Sequence, residues 1–141
     1  MITKNELRQY RYIKSDIKQL EEEIKELELL MVVPGCQKLT GMPGGGGAGD
    51  KIGELVAKAD KLRRIYRRKV SRLLDMKAEI EAAIEVLDED EQLLIRLYYF
   101  AGKTWECTAV EMGVSWATVH RDHRKILYKL AGQEWRENDD T

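Results

Sequence analysis

The chain has 141 residues, of which 43% are hydrophobic and 35% charged, and its formal net charge is −1. This length suits one domain or two small ones, and so high a charged fraction is typical of long solvated helices. No apolar run approaches the roughly 20 residues that a membrane span requires, so we expect no membrane association. The polar N-terminus lacks the apolar core of a secretion signal, which predicts a cytoplasmic protein.

A heptad pattern of apolar residues extends from Thr3 to Val33. Its two heptad positions are filled by Tyr10, Ile17, Ile24 and Met31 and by Ile13, Leu20 and Leu27. Such a sustained seam predicts a coiled-coil helix rather than a strand. The Pro34–Gly35 pair is expected to end it.

A second apolar stripe predicts another long helix, from about Lys51 to Leu87. If the two helices fold back on each other with facing residue numbers that sum to about 85, both seams align. In that register Glu21–Glu26 would face cations of the second helix. We therefore expect an antiparallel helical hairpin over residues 1–87, with a Gly-rich loop at 34–50. The alternative is self-association through the same seams.

The glycine run "GGGGAGDKI" at 44–52 has the glycine spacing of a phosphate-binding loop, but not its chemistry. Asp50 stands where such a loop needs lysine, and Lys51 stands where it needs Ser or Thr. No strand precedes the run. We interpret it as a turn between two helices, with Asp50 as the N-cap of the second.

The pattern of apolar and capping residues in 88–130 predicts three short helices. The polar tail 131–141 is expected to fray. The acids "DEDE" (88–91) suit the N-terminus of a helix over Gln92–Phe100. Thr104 can cap a helix that ends near Met112–Gly113. Ser115 can cap a last helix that extends to Leu130.

The stretch "TAVEMGVSWATVHRDHRKIL" has helix-turn-helix spacing. Ala109 is the small residue where two helices cross, Gly113 makes the turn, and Val114 and Val119 point into the core. The outward face of the last helix would then enter a major groove. The candidate DNA-binding residues are Thr104, Ser115, Trp116, Ala117, Thr118, His120, Arg121, Arg124 and Lys125.

Charge is concentrated on two helices. Residues 115–130 carry four Lys or Arg against Asp122 alone, a net of +3 that favours phosphate. The segment Lys58–Arg72 has eight cations against Asp60. We favour its pairing with Glu21–Glu26, and the alternative is a second DNA contact. That secondary basic patch comprises Arg63, Arg64, Arg67 and Arg68.

The remaining chemistry-bearing side chains suggest no catalytic or metal site. His120 and His123 are expected at the surface, because no further ligands lie near them. Trp105 is expected to pack beneath the helix-turn-helix. Cys107 is expected in the core, since it has no paired His and carboxylate. We therefore predict no enzyme, no metal and no cofactor.

The C-terminal stretch from Leu87 to Leu130 resembles region four of the sigma factors and the related LuxR-type regulators. The resemblance rests on the acids, the "RLYYF" helix, "A…MGVS" and then "T-V-x-R". Carried over by position, it implies that Trp116, Ala117, His120 and Arg121 face bases. Arg124 would contact the backbone. The sequence departs from the pattern at Thr108, where Ile or Leu is usual, and at Ala117, where a polar reader is common.

The whole chain resembles the RinA and ArpU-type late-gene regulators of phages, and "MPGGGGAGDKIGELV" (42–56) is similar to a recurrent signature there. The resemblance implies an all-α regulator that binds double-stranded DNA in a bacterial host cell. It further implies activation of late genes through contact with RNA polymerase. Because one helix-turn-helix gives limited specificity, a homo-oligomer or a polymerase partner is expected. Two alternatives remain open, a phage DNA-packaging small subunit and a coiled-coil adaptor that binds only protein.

Overall fold

The computed structural model describes residues 1–32 and 46–133, with the side chains of 46–50 left aside. The described residues form five α-helices and one π-helical segment and contain no strand, which confirms the all-α prediction. The elements are α1 (Lys4–Val32), α2 (Gly46–Ile84), α3 (Glu89–Ile95), the π-helical segment (Arg96–Phe100), α4 (Trp105–Met112) and α5 (Trp116–Leu130).

The chain divides into two compact units, and the long helices contribute to both. The hairpin unit comprises Ile13–Leu73. The composite unit combines Met1–Tyr12 with the described part of the chain from Leu74 onward. This partition differs from the predicted division into 1–87 and 88–130, because the first turns of α1 pack with the C-terminal helices.

In the hairpin unit, α1 and α2 form the antiparallel pair that the two seams predicted. Asp16 Oδ2 lies 3.0 Å from Lys69 Nζ, and the Tyr66 hydroxyl donates to Glu21 Oε1 at 2.8 Å. Farther along α1, Glu28 pairs with Arg63 at 2.9 Å. The residue number therefore rises along one helix as it falls along the other. Supercoiled packing of the two helices stays a prediction.

The start of α2 corrects the predicted loop of 34–50. The helix begins at Gly46, so Asp50 lies within it and does not cap it. Each glycine disfavours a helix by roughly 1 kcal/mol, which is why composition predicted a later start. Adding residues to an existing helix of 39 residues is far easier than nucleating one. The rest of the predicted loop lies outside the described residues.

The first helix after α2 starts earlier than predicted and changes type within its length. Asp88 is the N-cap and forms a reciprocal capping box with Glu91, so α3 starts at Glu89 rather than Gln92. The Asp88 side chain accepts from the Glu91 amide at 2.9 Å. In the π-helical segment, the Ala101 amide donates to the Arg96 carbonyl five residues back, at 2.8 Å.

The core of the composite unit joins residues from the beginning of the chain to residues near its end. Leu7 has no exposed surface, and Tyr10 packs its ring 5.2 Å from that of Phe100. The Ile2 amide donates to the Leu130 carbonyl at 3.2 Å. The other fully buried large side chains are Ile80, Ile84, Leu94, Ile95, Tyr99, Thr108, Val119 and Ile126. The helices that carry the candidate site are thus held by the N-terminal residues as well.

Candidate nucleic-acid interface

The boundaries of α4 and α5 are set by the capping residues that the sequence predicted. Thr104 Oγ1 accepts from the Cys107 amide at 3.2 Å, and Ser115 Oγ accepts from the Thr118 amide at 3.1 Å. Between the helices, Gly113 has a φ of 69°, in the left-handed region that glycine adopts without strain. These contacts confirm a helix, a glycine turn and a second capped helix.

Thr108 occupies a buried position where an aliphatic residue was expected. Its hydroxyl donates to the Thr104 carbonyl at 2.8 Å, so the buried polar group has a partner. The substitution therefore leaves no unsatisfied hydroxyl at the crossing of the two helices. Ala109 beside it is buried, as the close approach requires.

The prediction that the side chain of Val114 fills the core is wrong. Val114 is 36% exposed. Its amide instead donates to the Ala109 carbonyl at 3.1 Å, which fixes the turn through the backbone. The residue after a left-handed glycine is thus held by a hydrogen bond that hydrophobicity alone does not reveal.

One side of α5 is buried and another is open. Its buried residues are Val119, His123, Ile126 and Leu130, which share one face. Ala117, Arg121 and Arg124 are exposed, and Trp116 is 56% exposed. Of the four residues predicted to face bases, Trp116, Ala117 and Arg121 therefore share a solvent-facing surface in the first half of the helix, whereas His120 is half-buried beside it. Thr118 is half-buried on its flank.

His123 corrects the expectation of two surface histidines. It is buried, and its Nε2 lies 2.7 Å from the hydroxyl of Tyr99. Burial, and then the charges of Lys4 and His120, lower the pKa of His123 to about 4. At neutral pH this side chain is therefore an uncharged core residue and not a DNA contact.

His120 is half-buried between two tryptophans. Its ring centroid lies 4.7 Å from that of Trp105 and 3.9 Å from that of Trp116. Its Nε2 is enclosed and has no hydrogen-bond partner among the described residues. The ring thus connects the exposed face of α5 to the aromatic residues beneath it.

The prediction that Trp105 packs beneath the helix-turn-helix is confirmed, with partners that the sequence did not reveal. Trp105 stacks on Tyr98 with a centroid separation of 3.6 Å. On the same ring of Tyr98, the Arg11 guanidinium lies 3.8 Å from the centroid. Arg11 also donates to the Lys103 carbonyl at 3.4 Å. An arginine of α1 therefore holds in place the stacked aromatic side chains beneath the candidate site.

The far flank of α5 is lined by acids. Lys125 and Lys129 lie there, and Lys129 pairs with Glu91 at 2.8 Å. The two lysines line a cavity whose other lining residues include the acids Asp88, Asp90, Glu91 and Asp122. Of the predicted DNA-binding residues, Lys125 is therefore the one that faces neighbouring carboxylates.

The secondary basic patch of the hairpin unit divides into paired and exposed cations. Arg63 pairs with Glu28 and, at 3.0 Å, with Asp60, so this cation is neutralised within the unit. Arg64, Arg67 and Arg68 are exposed and line a shallow groove of about 600 Å³. One arginine of the four thus pairs with an acid of α1, and that acid is Glu28 rather than one of the predicted Glu21–Glu26.

Cys107 is exposed and not a core residue, because it lies on the solvent side of the first turn of α4. No group of three or more potential metal ligands occurs in the described residues. Within the same residues, no helix is long and apolar enough to cross a membrane.

The fold and the exposed basic second helix define a helix-turn-helix domain, a class of domain that binds DNA. Residues 83–131 match the family model described as Sigma-70, region 4. This match confirms the sigma-like character expected for the C-terminal part of the chain. No curated protein and no solved structure matches the chain. Membership in the phage late-gene regulators stays a prediction.

Proposed function

We propose that this protein is a sequence-specific transcriptional regulator that reads the major groove with α5. The observation that carries the proposal is the capped, solvent-exposed face of α5 presenting Trp116, Arg121 and Arg124. Ser115 starts this helix at a defined residue, so the exposed side chains follow in a fixed order from its N-terminus. That N-terminal half is the part of a recognition helix that meets base edges.

The side chains on this face suit the two tasks of DNA recognition. An exposed arginine such as Arg121 can donate two hydrogen bonds to guanine O6 and N7. Trp116 offers an apolar surface to a thymine methyl. Arg124, one turn away from His120, suits a phosphate, which positions the helix without reading sequence.

The experiment is selection from a random duplex library, with wild type beside Arg121→Ala/Arg124→Ala. We expect wild type to enrich a motif that the double variant does not enrich. Lys18→Ala/Lys25→Ala is the matched control, because it removes two exposed cations of α1 in the hairpin unit. If wild type retains no duplex even at low salt, where electrostatic attraction is strongest, the proposal fails.

The biological setting that we propose is late-gene activation by a phage in the cytoplasm of a bacterial host. The resemblance of the whole chain to phage regulators supports this, and so does the match to a sigma-factor region. RNA polymerase is the proposed partner, and its retention on the immobilised protein is the test. A homo-oligomer is the other proposed route to specificity. A ring of eight or more subunits in light scattering would instead favour the DNA-packaging subunit.

A further inference from the structure

A cleft of about 540 Å³ lies within the composite unit, beside the candidate recognition helix. One wall is formed by Lys4, Arg8 and Arg11 of α1, and the other includes Trp105 and His120. The spacings of four and three residues place the three cations on one face of α1. Their position next to His120 brings α1 to the border of the exposed face of α5.

Among the described residues, no carboxylate pairs with the side chain of Lys4, Arg8 or Arg11 in this cleft. The described residues that line it include no Asp or Glu. The side chain of Lys4 has no hydrogen bond or ion pair with the described residues. Within the described part of the chain, the Arg8 side chain donates to the hydroxyl of Tyr12, at 3.3 Å, and to no carboxylate. Two exposed positive charges are therefore available to an anion.

The positive charges of Lys4, Arg8 and Arg11 also change the pKa values of two side chains that line the cleft. The charge of Lys4 contributes to the lowered pKa of His123. The charges of Arg8 and Arg11 oppose the effect of burial, which raises the pKa of Tyr99. The cleft thus has a positive potential that favours anionic ligands.

The two flanks of α5 differ in charge. The flank at His120 and His123 opens on the cationic cleft, whereas the flank at Asp122 faces the acid-lined cavity with Asp88 and Glu91. A phosphate chain that runs beside α5 is attracted on the first flank and repelled on the second. Because only one flank of α5 is positive, a nucleic-acid backbone would bind along that flank and not along both.

We propose that Lys4 and Arg8 hold the phosphate backbone of duplex DNA at the His120 flank of the recognition helix. The inference rests on the proposed function, because it assumes that α5 enters the groove. It assigns to α1, which the sequence presents as a packing helix, a direct part in DNA binding. Arg11 is a positioning residue here, since its guanidinium is already placed over Tyr98.

The test compares wild type, Lys4→Gln/Arg8→Gln and the control Lys18→Gln/Lys25→Gln on the selected duplex. The control removes the same charge from exposed positions of the same helix. The slope of log K against log salt is negative, and each lost phosphate contact reduces its magnitude by about 0.9. We therefore expect the first variant to have a slope shallower by about 1.8. The control should keep the wild-type slope. Both variants should enrich the wild-type motif, because phosphate contacts carry no sequence information.

A second measurement identifies the atoms involved. Single phosphates of the duplex are replaced by neutral methylphosphonates, one position at a time. Wild type should lose affinity at one or two positions to which Lys4→Gln/Arg8→Gln is indifferent. Lys4→Arg/Arg8→Lys should restore the loss, since both charges return.

The outcomes separate this inference from the proposed function. If wild type binds duplex and Lys4→Gln/Arg8→Gln has the same slope and the same methylphosphonate pattern, the inference fails and the proposed function stands. If wild type binds no duplex, both fail. Free phosphates share this chemistry, so ATP is titrated against tryptophan fluorescence. Saturation by ATP that depends on Lys4 and Arg8, with no effect on duplex binding, would also overturn the inference.

Discussion

Tyr99 and His123 meet in the core of the composite unit, and their contact shows how a titratable group is held neutral. Burial raises the pKa of Tyr99, so the hydroxyl keeps its proton and can donate it to Nε2. That assignment places the imidazole proton on Nδ1. Because the ring is buried, its neutral form stabilises the fold and its charged form opposes it.

This arrangement predicts that the protein loses stability in mild acid. The pKa of His123 is about 4, below the value of about 6.5 in an unfolded chain. Between these values the unfolded state binds a proton that the folded state does not, so the free energy of unfolding falls as the pH falls. Between pH 7 and pH 5, we expect the free energy of unfolding of wild type to fall by about 2 kcal/mol more than that of His123→Gln. Urea unfolding at the two pH values measures both.

The control for this prediction is Tyr99→Phe, which removes the hydrogen bond but leaves the imidazole buried. Its pH dependence should stay close to that of wild type, since burial is the first cause of the lowered pKa. An equal loss of stability in wild type and His123→Gln would show that His123 does not control the acid response.

At the scale of elements, the sequence predicted the helix-turn-helix because its signals are local. Thr104, Gly113 and Ser115 each act on backbone atoms within a few residues, so their roles follow from residue type and position. The π-helical segment "RLYYF" has no such signal, because its register depends on how Tyr99 and Phe100 pack.

The candidate site also contains some residues that local sequence patterns predict and others that only tertiary packing reveals. The exposed residues of α5 follow from the helical period, so the exposure of Trp116 and Arg121 could be predicted, and their role as readers is a proposal. Lys4, Arg8 and Arg11 could not, because exposed cations on a long helix normally indicate a solvated face. Only the packing of α1 on the π-helical segment within the composite unit reveals the cleft.

Two glycines offer a direct test of the backbone argument. Gly113 has a φ of 69°, whereas Gly53 is inside α2, and a Cβ at either position would meet nothing within 4 Å. Substitution by alanine therefore changes only backbone preferences. We expect Gly113→Ala to cost about 1 kcal/mol and Gly53→Ala to stabilise by up to about 1 kcal/mol. The midpoint of thermal unfolding measures both, and shifts of the same sign would contradict the assignment of a left-handed turn.

At the scale of the whole molecule, the sequence could not predict how the chain divides into units. The heptad seam passes through Tyr10 and Ile17 without interruption. Periodicity shows which residues of α1 are buried but not which elements cover them. The structure assigns Tyr10 to the composite unit and Ile17 to the hairpin unit.

This partition predicts that a residue at the start of α1 stabilises the DNA-binding helices. Leu7 is fully buried in the composite unit, so Leu7→Ala should cost about 2–5 kcal/mol. Leu29→Ala is the control, because Leu29 lies on the same helix and is 59% exposed. Amide hydrogen exchange in α5 should accelerate in the first variant and not in the second. Equal exchange would mean that the helix-turn-helix is stable without α1.

The pairing of Ile2 with Leu130 also bears on how the protein folds during its synthesis. Residues 13–73 form a unit from one continuous stretch, so this unit can fold as soon as that stretch has emerged. Residues 1–12 are synthesised before it, yet their partners follow after it. Contacts of such large sequence separation form slowly and late. The composite unit with its helix-turn-helix is therefore complete only after Leu130 has been translated, and we expect a prematurely terminated chain to form the hairpin without it.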